Sequence, residues 1–350
     1  MRVDAFDFEI PPDLIALRPR VPREDARLLV VRQDGSREHR VIGDLPSLLR
    51  SGDALVVNDT KVIPAQLHGR RNRSDGAAAD IHVTLHARMD SRSYKAFARP
   101  AKRLKAGDQI AFSPKLSAQV VSRDEGEVAL SFNCAGADLD LAISEAGETP
   151  LPPYIASRRK PDDQDKRDYQ TIFADQPGSV AAPTAGLHFT PTLLAQLEAA
   201  GVSRESLTLH VGAGTFLPVS ADDTSGHRMH PEWATLNAQT AARLNSARAH
   251  GGRIVAAGST SLRTLESAAG ANGDLQAFSG TTDIFITPGY RFKTAEIMLT
   301  NFHLPRSTLF MLVCAFSGLE TMKTAYAEAI RDRYRFYSYG DACLLFRPST

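Results

Sequence analysis

The chain has few cysteines. Among its 350 residues there are three, Cys134, Cys314 and Cys343, too few and odd in number for a disulfide framework. No two are close enough for a CxxC zinc or redox motif, so the sequence reads as one kept in a reducing compartment. Long apolar runs are missing too. The longest, Leu309 to Phe316, has eight residues, whereas a bilayer-spanning helix needs about 20. The opening Met1-Arg2-Val3-Asp4-Ala5-Phe6-Asp7 is acidic and has no apolar h-region, so no signal peptide, no membrane contact and a cytoplasmic location are expected. Charge of one sign is absent: 41 Lys+Arg face 40 Asp+Glu, a net of +1. That excludes a uniformly basic nucleic-acid coat but leaves room for a local patch. There is no P-loop, nucleophile elbow or zinc knuckle, which removes support for common ATPase, hydrolase and zinc readings. Internal repeats and low-complexity tracts are absent as well.

What remains is an ordinary globular composition, 43% hydrophobic and 23% charged, at a length that suggests two domains. Residues 28–32 and 54–58 are continuous apolar runs and read as buried strands. From about 61 to 150 the texture turns to short alternating strands with Gly-bearing turns. Ile81, Val83 and Leu85 mark one face of one strand, and 120–122 and 128–132 flank a turn, which predicts a small antiparallel barrel or sandwich. Residues 61–110 carry 11 Lys+Arg against 4 Asp+Glu. Arg70, Arg71, Arg73, Lys102 and Arg103 are candidates for an RNA-contacting surface, with solvated loop charge as the alternative. Leu151-Pro152-Pro153-Tyr154 marks a boundary, and the charged run 158–168 reads as an exposed or mobile loop. Beyond it strands and helices alternate. Helices are expected at 190–200, 237–250, 261–269 and 324–333, and strands at 207–211, 253–257, 284–286 and 342–346, which implies a mixed or parallel sheet.

Five segments of this second part could carry chemistry. Half of the ten histidines fall at His188, His210, His227, His230 and His303, in polar or Gly-rich surroundings. His227-x-x-His230 has metal-ligand spacing, but only Glu232 could complete the set, so proton transfer or substrate hydrogen bonding is preferred and no metal is expected. A strand runs into Gly212-Ala213-Gly214-Thr215, like the first motif of a Rossmann methyltransferase. Phe216 and Pro218 break that likeness, so the glycines suit a tight turn or a close ligand. Gly258-Ser259-Thr260-Ser261 opens a helix bearing Arg263 and Glu266, where N–H groups and hydroxyls could receive a carboxylate or phosphate. Pro183-Thr184-Ala185-Gly186-Leu187-His188-Phe189 could cradle a flat base on Phe189. Thr300-Asn301-Phe302-His303 repeats that mix of amide, ring and imidazole.

Together these strings resemble the queuosine-pathway family of S-adenosylmethionine:tRNA ribosyltransferase-isomerases. The likeness rests on 56–65, PTAGLHFT at 183–190, LTLHVGAGTFLPV at 207–219, His227-Arg228-Met229-His230-Pro231-Glu232, TSLRTLES at 260–267, FITPGYRFK at 285–293, LTNFHLPRSTL at 299–309 and the 335–341 segment. They follow family order over nearly the whole chain. The resemblance implies an α/β fold: a mixed-sheet, barrel-like main domain made of 1–60 plus 151–350, with a small antiparallel β-barrel domain inserted at 61–150. It implies transfer and isomerisation of the ribosyl part of S-adenosylmethionine onto the aminomethyl group of 7-aminomethyl-7-deazaguanine at the tRNA wobble position, giving epoxyqueuosine-tRNA, adenine and methionine. S-adenosylmethionine is then a co-substrate, no prosthetic group is needed, and tRNA is the partner of a monomer without an obligate protein partner. A Rossmann-like RNA methyltransferase using the same donor is the alternative. A tRNA-binding protein without turnover is a third reading.

Such a reaction needs a base for the amine and a proton or hydrogen bond for the departing adenine. His188, His210, His230 and His303 are the candidates for proton traffic. Asp59, Glu232 and Asp341 are the carboxylates to orient them or meet the amine. Thr184, Gly186, Gly212, Gly214, Thr215, Ser259, Thr260, Ser261, Arg263 and Asn301 are candidate substrate contacts, and Phe189, Phe302 and Tyr339 candidate stacking surfaces.

Overall fold

A computed structural model describes residues 1–72, 78–124, 126–212, 214, 219 and 221–348. Its strands are, in chain order, β1 Arg27–Val31, β2 Arg37–Val41, β3 Ala54–Asn58, β4 Thr60–Val62, β5 Gln66–Asn72, β6 Ala78–Arg88, β7 Ser93–Arg99, β8 Gln109–Ala111 and β9 Ser117–Asp124. They continue as β10 Glu127–Phe132, β11 Gln176–Ser179, β12 Ser203–Leu209, β13 Glu232–Leu236, β14 Ile254–Ala257, β15 Phe278–Thr282, β16 Ile297–Asn301 and β17 Ala342–Phe346.

Nine of them form one mixed sheet in the order β15-β13-β12-β3-β14-β16-β17-β1-β2. β12, β3, β14 and β16 run parallel. β3, β14, β16 and β17 are buried at every residue, as strands covered on both faces must be. Alternation divides their side chains between two cores. Ala54 and Val56 join the helices Ala238–Ala249, Ser259–Ala268, Thr308–Ser317 and Leu319–Arg331 on one face. Leu55 and Val57 meet Leu193 and Leu197 of the helix Pro191–Ala199 on the other. That helix starts as its sequence demands: Thr190 Oγ1 accepts the Leu193 N–H at 3.2 Å and Pro191 takes the first turn.

Six strands close into an antiparallel barrel, β10-β7-β6-β5-β8-β9. Its core holds Ile81, Val83 and Leu85, and Leu139 and Ile143 of the helix Gly136–Ala146 pack against it. Closure belongs to this unit; the large sheet ends at β15 and β2. β4 and β11 pair in parallel where the chain leaves the sheet for the barrel and returns.

Three local expectations change. Residues 284–286 are not a strand. The strand in that region is β15, whose last pair is Glu232 with Thr282; β13 begins at Glu232, so the chain beyond has no edge to join. The last long helix begins at Leu319 rather than 324, set off from its predecessor by Gly318 at φ 92°. The charged run 158–168 is exposed at most positions, as expected, but it is pinned at one buried carboxylate and ends in a helical turn. Asp165 is wholly buried and accepts from Arg159 Nη2 at 2.6 Å and Arg18 Nη1 at 2.9 Å. Among the described residues no helix is long and apolar enough to cross a membrane.

Candidate active site

Chain order along the sheet reverses at β3, with β12 on one side and β14 on the other. Ligands of open α/β sheets bind beyond the carboxyl ends of strands at such a point. Here those ends deliver Asp59 and Thr60, His210, Ser259 and Thr260, and Asn301. The barrel stands opposite, and between the two lies a cleft of about 1280 Å³.

His210, Gly212, Gly214, His230, Glu232 and Arg263 line it from the sheet side. Thr60 Oγ1 and His210 Nδ1 share a hydrogen bond of 2.8 Å. The ring stacks on Trp233 with centroids 5.3 Å apart at 20°. Burial lowers the His210 pKa, so the imidazole is neutral near pH 7 and able to accept a proton. Gly178 makes this placement possible, because a Cβ there would stand 2.8 Å from His210 Nε2. Gly214 plays the same part for His230, whose Cδ2 would be 2.7 Å from an added Cβ. Of the two glycines of the broken methyltransferase motif, Gly214 therefore makes room for an imidazole, while a Cβ at Gly212 would meet nothing within 4 Å. Glu232 Oε1 accepts the Gly212 N–H at 3.0 Å, and Oε2 accepts from Arg263 Nη1. Arg263 is buried, and its Nε and Nη2 have no hydrogen-bond partner among the described residues. A guanidinium with unfilled donors at a cleft wall suits a carboxylate.

A second group of expected residues lies apart, around the point where β16 ends and β17 begins. His188 and Tyr339 border a small recess with Arg20 and Arg23. Burial, with the Arg23 and Arg335 charges, pushes the His188 pKa down to about 4. Thr184 Oγ1 donates to Asn301 Oδ1 at 2.9 Å; Asn301 Nδ2 donates to Tyr337 O at 3.1 Å and lies 3.4 Å from His188 Nε2. His303 is buried with Nε2 2.8 Å from Thr300 Oγ1, and burial takes its pKa to about 3. Asp341 is fully buried and spends both oxygens on backbone N–H groups, of Arg27 at 2.9 Å and Arg335 at 2.7 Å. It holds chain segments together and is not open to a substrate. Asp59 is half-buried, accepts from Thr208 Oγ1 at 2.6 Å and has its pKa raised by burial.

The expected stacking surfaces are corrected. Phe302 is wholly buried against Phe336 at 4.9 Å and Tyr326 at 5.2 Å. Phe189 is in the core against Phe173 at 5.3 Å, and Tyr339 meets Tyr169 at 5.9 Å. Phe302 and Phe189 are apolar surface that the core needs more than a ligand does, whereas Tyr339 also borders the recess beside Arg20 and Arg23. Gly186 packs on Thr171, where a Cβ would come within 2.9 Å of Cγ2. Ser261 Oγ donates to Ala257 O at 2.9 Å, whereas Thr260 Oγ1 is buried without a partner and Ser259 is partly exposed. Arg263 and Glu266 do not pair; Glu266 instead accepts from Tyr290 Oη, Lys293 N and Thr294 N. Thr215 and Arg73 lie outside the described residues. His227, His230 and Glu232 do not converge on a metal; His227 sits edge-on to Phe285 at 5.2 Å.

On the barrel, Arg70, Lys102 and Arg103 are exposed. Arg71 is not: it is buried, donates to the Arg103 carbonyl and stands 3.7 Å from Asp108. Alternation along β5 turns neighbouring arginines to opposite faces. The barrel residues that border the cleft are others, His86, Arg88, Lys95 and Glu127. They went unnoticed because each is one polar residue on the outward face of an alternating strand. The one signal was that inward Ile81, Val83 and Leu85 imply an outward His86.

Comparison with known proteins gives one answer. A family described as queuosine biosynthesis protein matches residues 3–345. The S-adenosylmethionine:tRNA ribosyltransferase-isomerase of Methylocella silvestris is 62% identical, covering 99% of this chain and 98% of that protein. The protein of the same name from Beijerinckia indica is 59% identical over 100% of this chain and 98% of its own. The crystal structure of S-adenosylmethionine tRNA ribosyltransferase from Thermotoga maritima aligns over 98% of this chain and all of that one, with 35% identity and a TM-score of 0.56.

Proposed function

The chain belongs to the queuosine biosynthesis protein family, and on that premise we propose that it is an S-adenosylmethionine:tRNA ribosyltransferase-isomerase. It transfers and isomerises the ribosyl part of S-adenosylmethionine onto the aminomethyl group of 7-aminomethyl-7-deazaguanine in tRNA. Epoxyqueuosine-tRNA, adenine and methionine are the products. The donor is a co-substrate and no prosthetic group takes part. The observation that carries this reading is the cleft itself. It is large enough for a nucleoside and a nucleobase together, and two imidazoles with a carboxylate–guanidinium pair line one wall.

Each cleft residue has a task in that reaction. Neutral His210, held by Thr60, takes or returns a proton. His230 is the second imidazole within reach. Glu232 fixes Arg263, whose unfilled Nε and Nη2 receive the donor's carboxylate, with Ser259 and Thr260 nearby at the helix start. His188, His303, Asn301, Thr184 and Asp341 act by holding the strand ends in register. Residues 1–60 and 151–350 form the catalytic domain, and 61–150 form an inserted domain whose exposed Arg70, Lys102 and Arg103 attract tRNA.

The test is turnover with ribose-labelled S-adenosylmethionine and tRNA carrying the aminomethyl-deazaguanine base. Label in the tRNA with an equal release of adenine is expected. S-adenosylhomocysteine without label in the tRNA would mean methyl transfer and overturn the assignment.

A further inference from the structure

Half of the cleft wall comes from the barrel, and its chemistry is concentrated at one irregularity. Ile81, Val83 and Leu85 of β6 point inward in alternation. Pairing of β6 with β7 then slips between Leu85 and Ala87, so His86 is the extra residue of a β-bulge. A bulge interrupts alternation and re-aims the side chain that carries it. The His86 ring lies flat on Phe97, with centroids 4.5 Å apart at 22°. Nε2 is buried and stands 3.0 Å from Glu127 Oε2 on β10. The other Glu127 oxygen accepts from Lys95 Nζ at 3.0 Å. His86, Lys95 and Glu127 border the same cleft as His210 and His230. Among the described residues His86 Nδ1 has no hydrogen-bond partner, and it is the ring atom left for a ligand.

The surroundings of His86 favour a neutral ring. Burial is the largest influence and lowers its pKa. Lys95 on β7 and His230 across the cleft act in the same direction, and Glu127 on β10 opposes them. A neutral imidazole backed by a carboxylate is the arrangement of a proton acceptor whose charged form is stabilised once it forms.

We propose that His86 is an acid–base residue contributed by the barrel, oriented by Glu127, and that it takes the proton of the substrate's aminomethyl group. The proposal rests on the ribosyl-transfer reading above. An alkylammonium has no free electron pair, so it cannot attack carbon until it loses a proton. In this step the N–H bond breaks and its electrons remain on nitrogen, free to form the bond to the ribosyl carbon. The proton moves to His86 Nδ1, Glu127 stabilises the imidazolium through Nε2, and the proton later leaves to water. The barrel is then part of the catalytic site as well as a platform for RNA.

The experiment is the pH profile of kcat for His86→Gln and Glu127→Gln, with labelled S-adenosylmethionine and saturating aminomethyl-deazaguanine tRNA. His86→Gln is expected to lower kcat about 100-fold and abolish the acidic limb of the profile. The KM for S-adenosylmethionine should stay within about 2-fold, since a proton acceptor adds little to ground-state binding. Glu127→Gln keeps the ring but removes the anion behind it, so the acidic limb should move to lower pH. His82→Gln, an exposed histidine of the same strand that pairs with His68, serves as control with unchanged kcat. A His86→Gln enzyme with wild-type kcat and wild-type acidic limb overturns the proposal. So does one that loses only tRNA affinity, and so does an upward shift of the limb in Glu127→Gln. If the wild-type chain itself yields no labelled tRNA, the ribosyl-transfer reading fails and this proposal with it.

Discussion

The cleft and the polar layer where β16 ends and β17 begins are built from the same kinds of residue. Each has histidines, hydroxyls and carboxylates in loops that follow strands. They differ in what satisfies those groups. In the cleft, Arg263 keeps two unfilled nitrogens and His210 uses one ring nitrogen on Thr60. In the buried layer, Asp341 has both oxygens on backbone N–H groups, and His303 and Asn301 bond to neighbouring chain. A polar group with its bonds completed inside the protein stabilises the fold. One with bonds left open, at a wall that a ligand can reach, is prepared for chemistry.

Substitutions can break that contrast, and the largest effect is expected deep in the buried layer. Phe302→Ala removes a wholly buried ring packed on Phe336 and Tyr326 and should destabilise by about 3–5 kcal/mol. Urea unfolding would report it, with the KM for S-adenosylmethionine unchanged in the folded fraction. A large rise in KM would return Phe302 to the list of ligand contacts.

Next comes the pH dependence of stability. The His188 pKa is near 4 in the folded protein against an ordinary 6.5. Between those values the unfolded chain binds the extra proton, so stability falls as pH drops from 6.5 to 4 and is flat above. The total is about 3 kcal/mol for a shift of this size. Denaturant melts of His188→Asn should show a shallower acid decline than wild type. Identical slopes would mean that His188 is not buried as a neutral ring.

The cleft makes the opposite demand. His210→Gln should leave the melting temperature close to wild type and lower kcat about 100-fold, the usual scale for losing a proton-transfer group. Thr60→Val should give a smaller loss, since it frees the ring without removing it. The smallest effect is on the barrel surface. Arg70→Glu should weaken tRNA binding and reduce the slope of log affinity against log salt by about 1. Arg71→Glu should act on folding instead, because Arg71 is buried against the Arg103 carbonyl.

Much of this architecture is legible in the residues. Continuous apolar runs gave β1 and β3, strict alternation gave β6, and Thr190-Pro191 gave a helix start that the structure reproduces bond for bond. The site was legible where motifs follow strands, because carboxyl ends of parallel strands gather at one edge. Burial of single residues was not. Phe189 and Phe302 looked like stacking platforms because the rings sit in polar strings, yet the local string says nothing about what packs on the ring. The barrel wall was hidden for the converse reason. His86 has unremarkable neighbours in sequence, and only the packing of the barrel opposite the sheet brings the outward face that carries it to the cleft.

By itself, then, the sequence determined the order of elements, the division between barrel texture and α/β texture, and membership of a tRNA-modifying family. These depend on local periodicity and on strings of adjacent residues. Tertiary structure alone decided which histidines face the cleft. His210 meets Thr60 from 150 residues away, and His188 meets Asn301 from 113 away. Desolvation and hydrogen-bond completion are set by such distant partners, and they separate a reactive imidazole from a structural one.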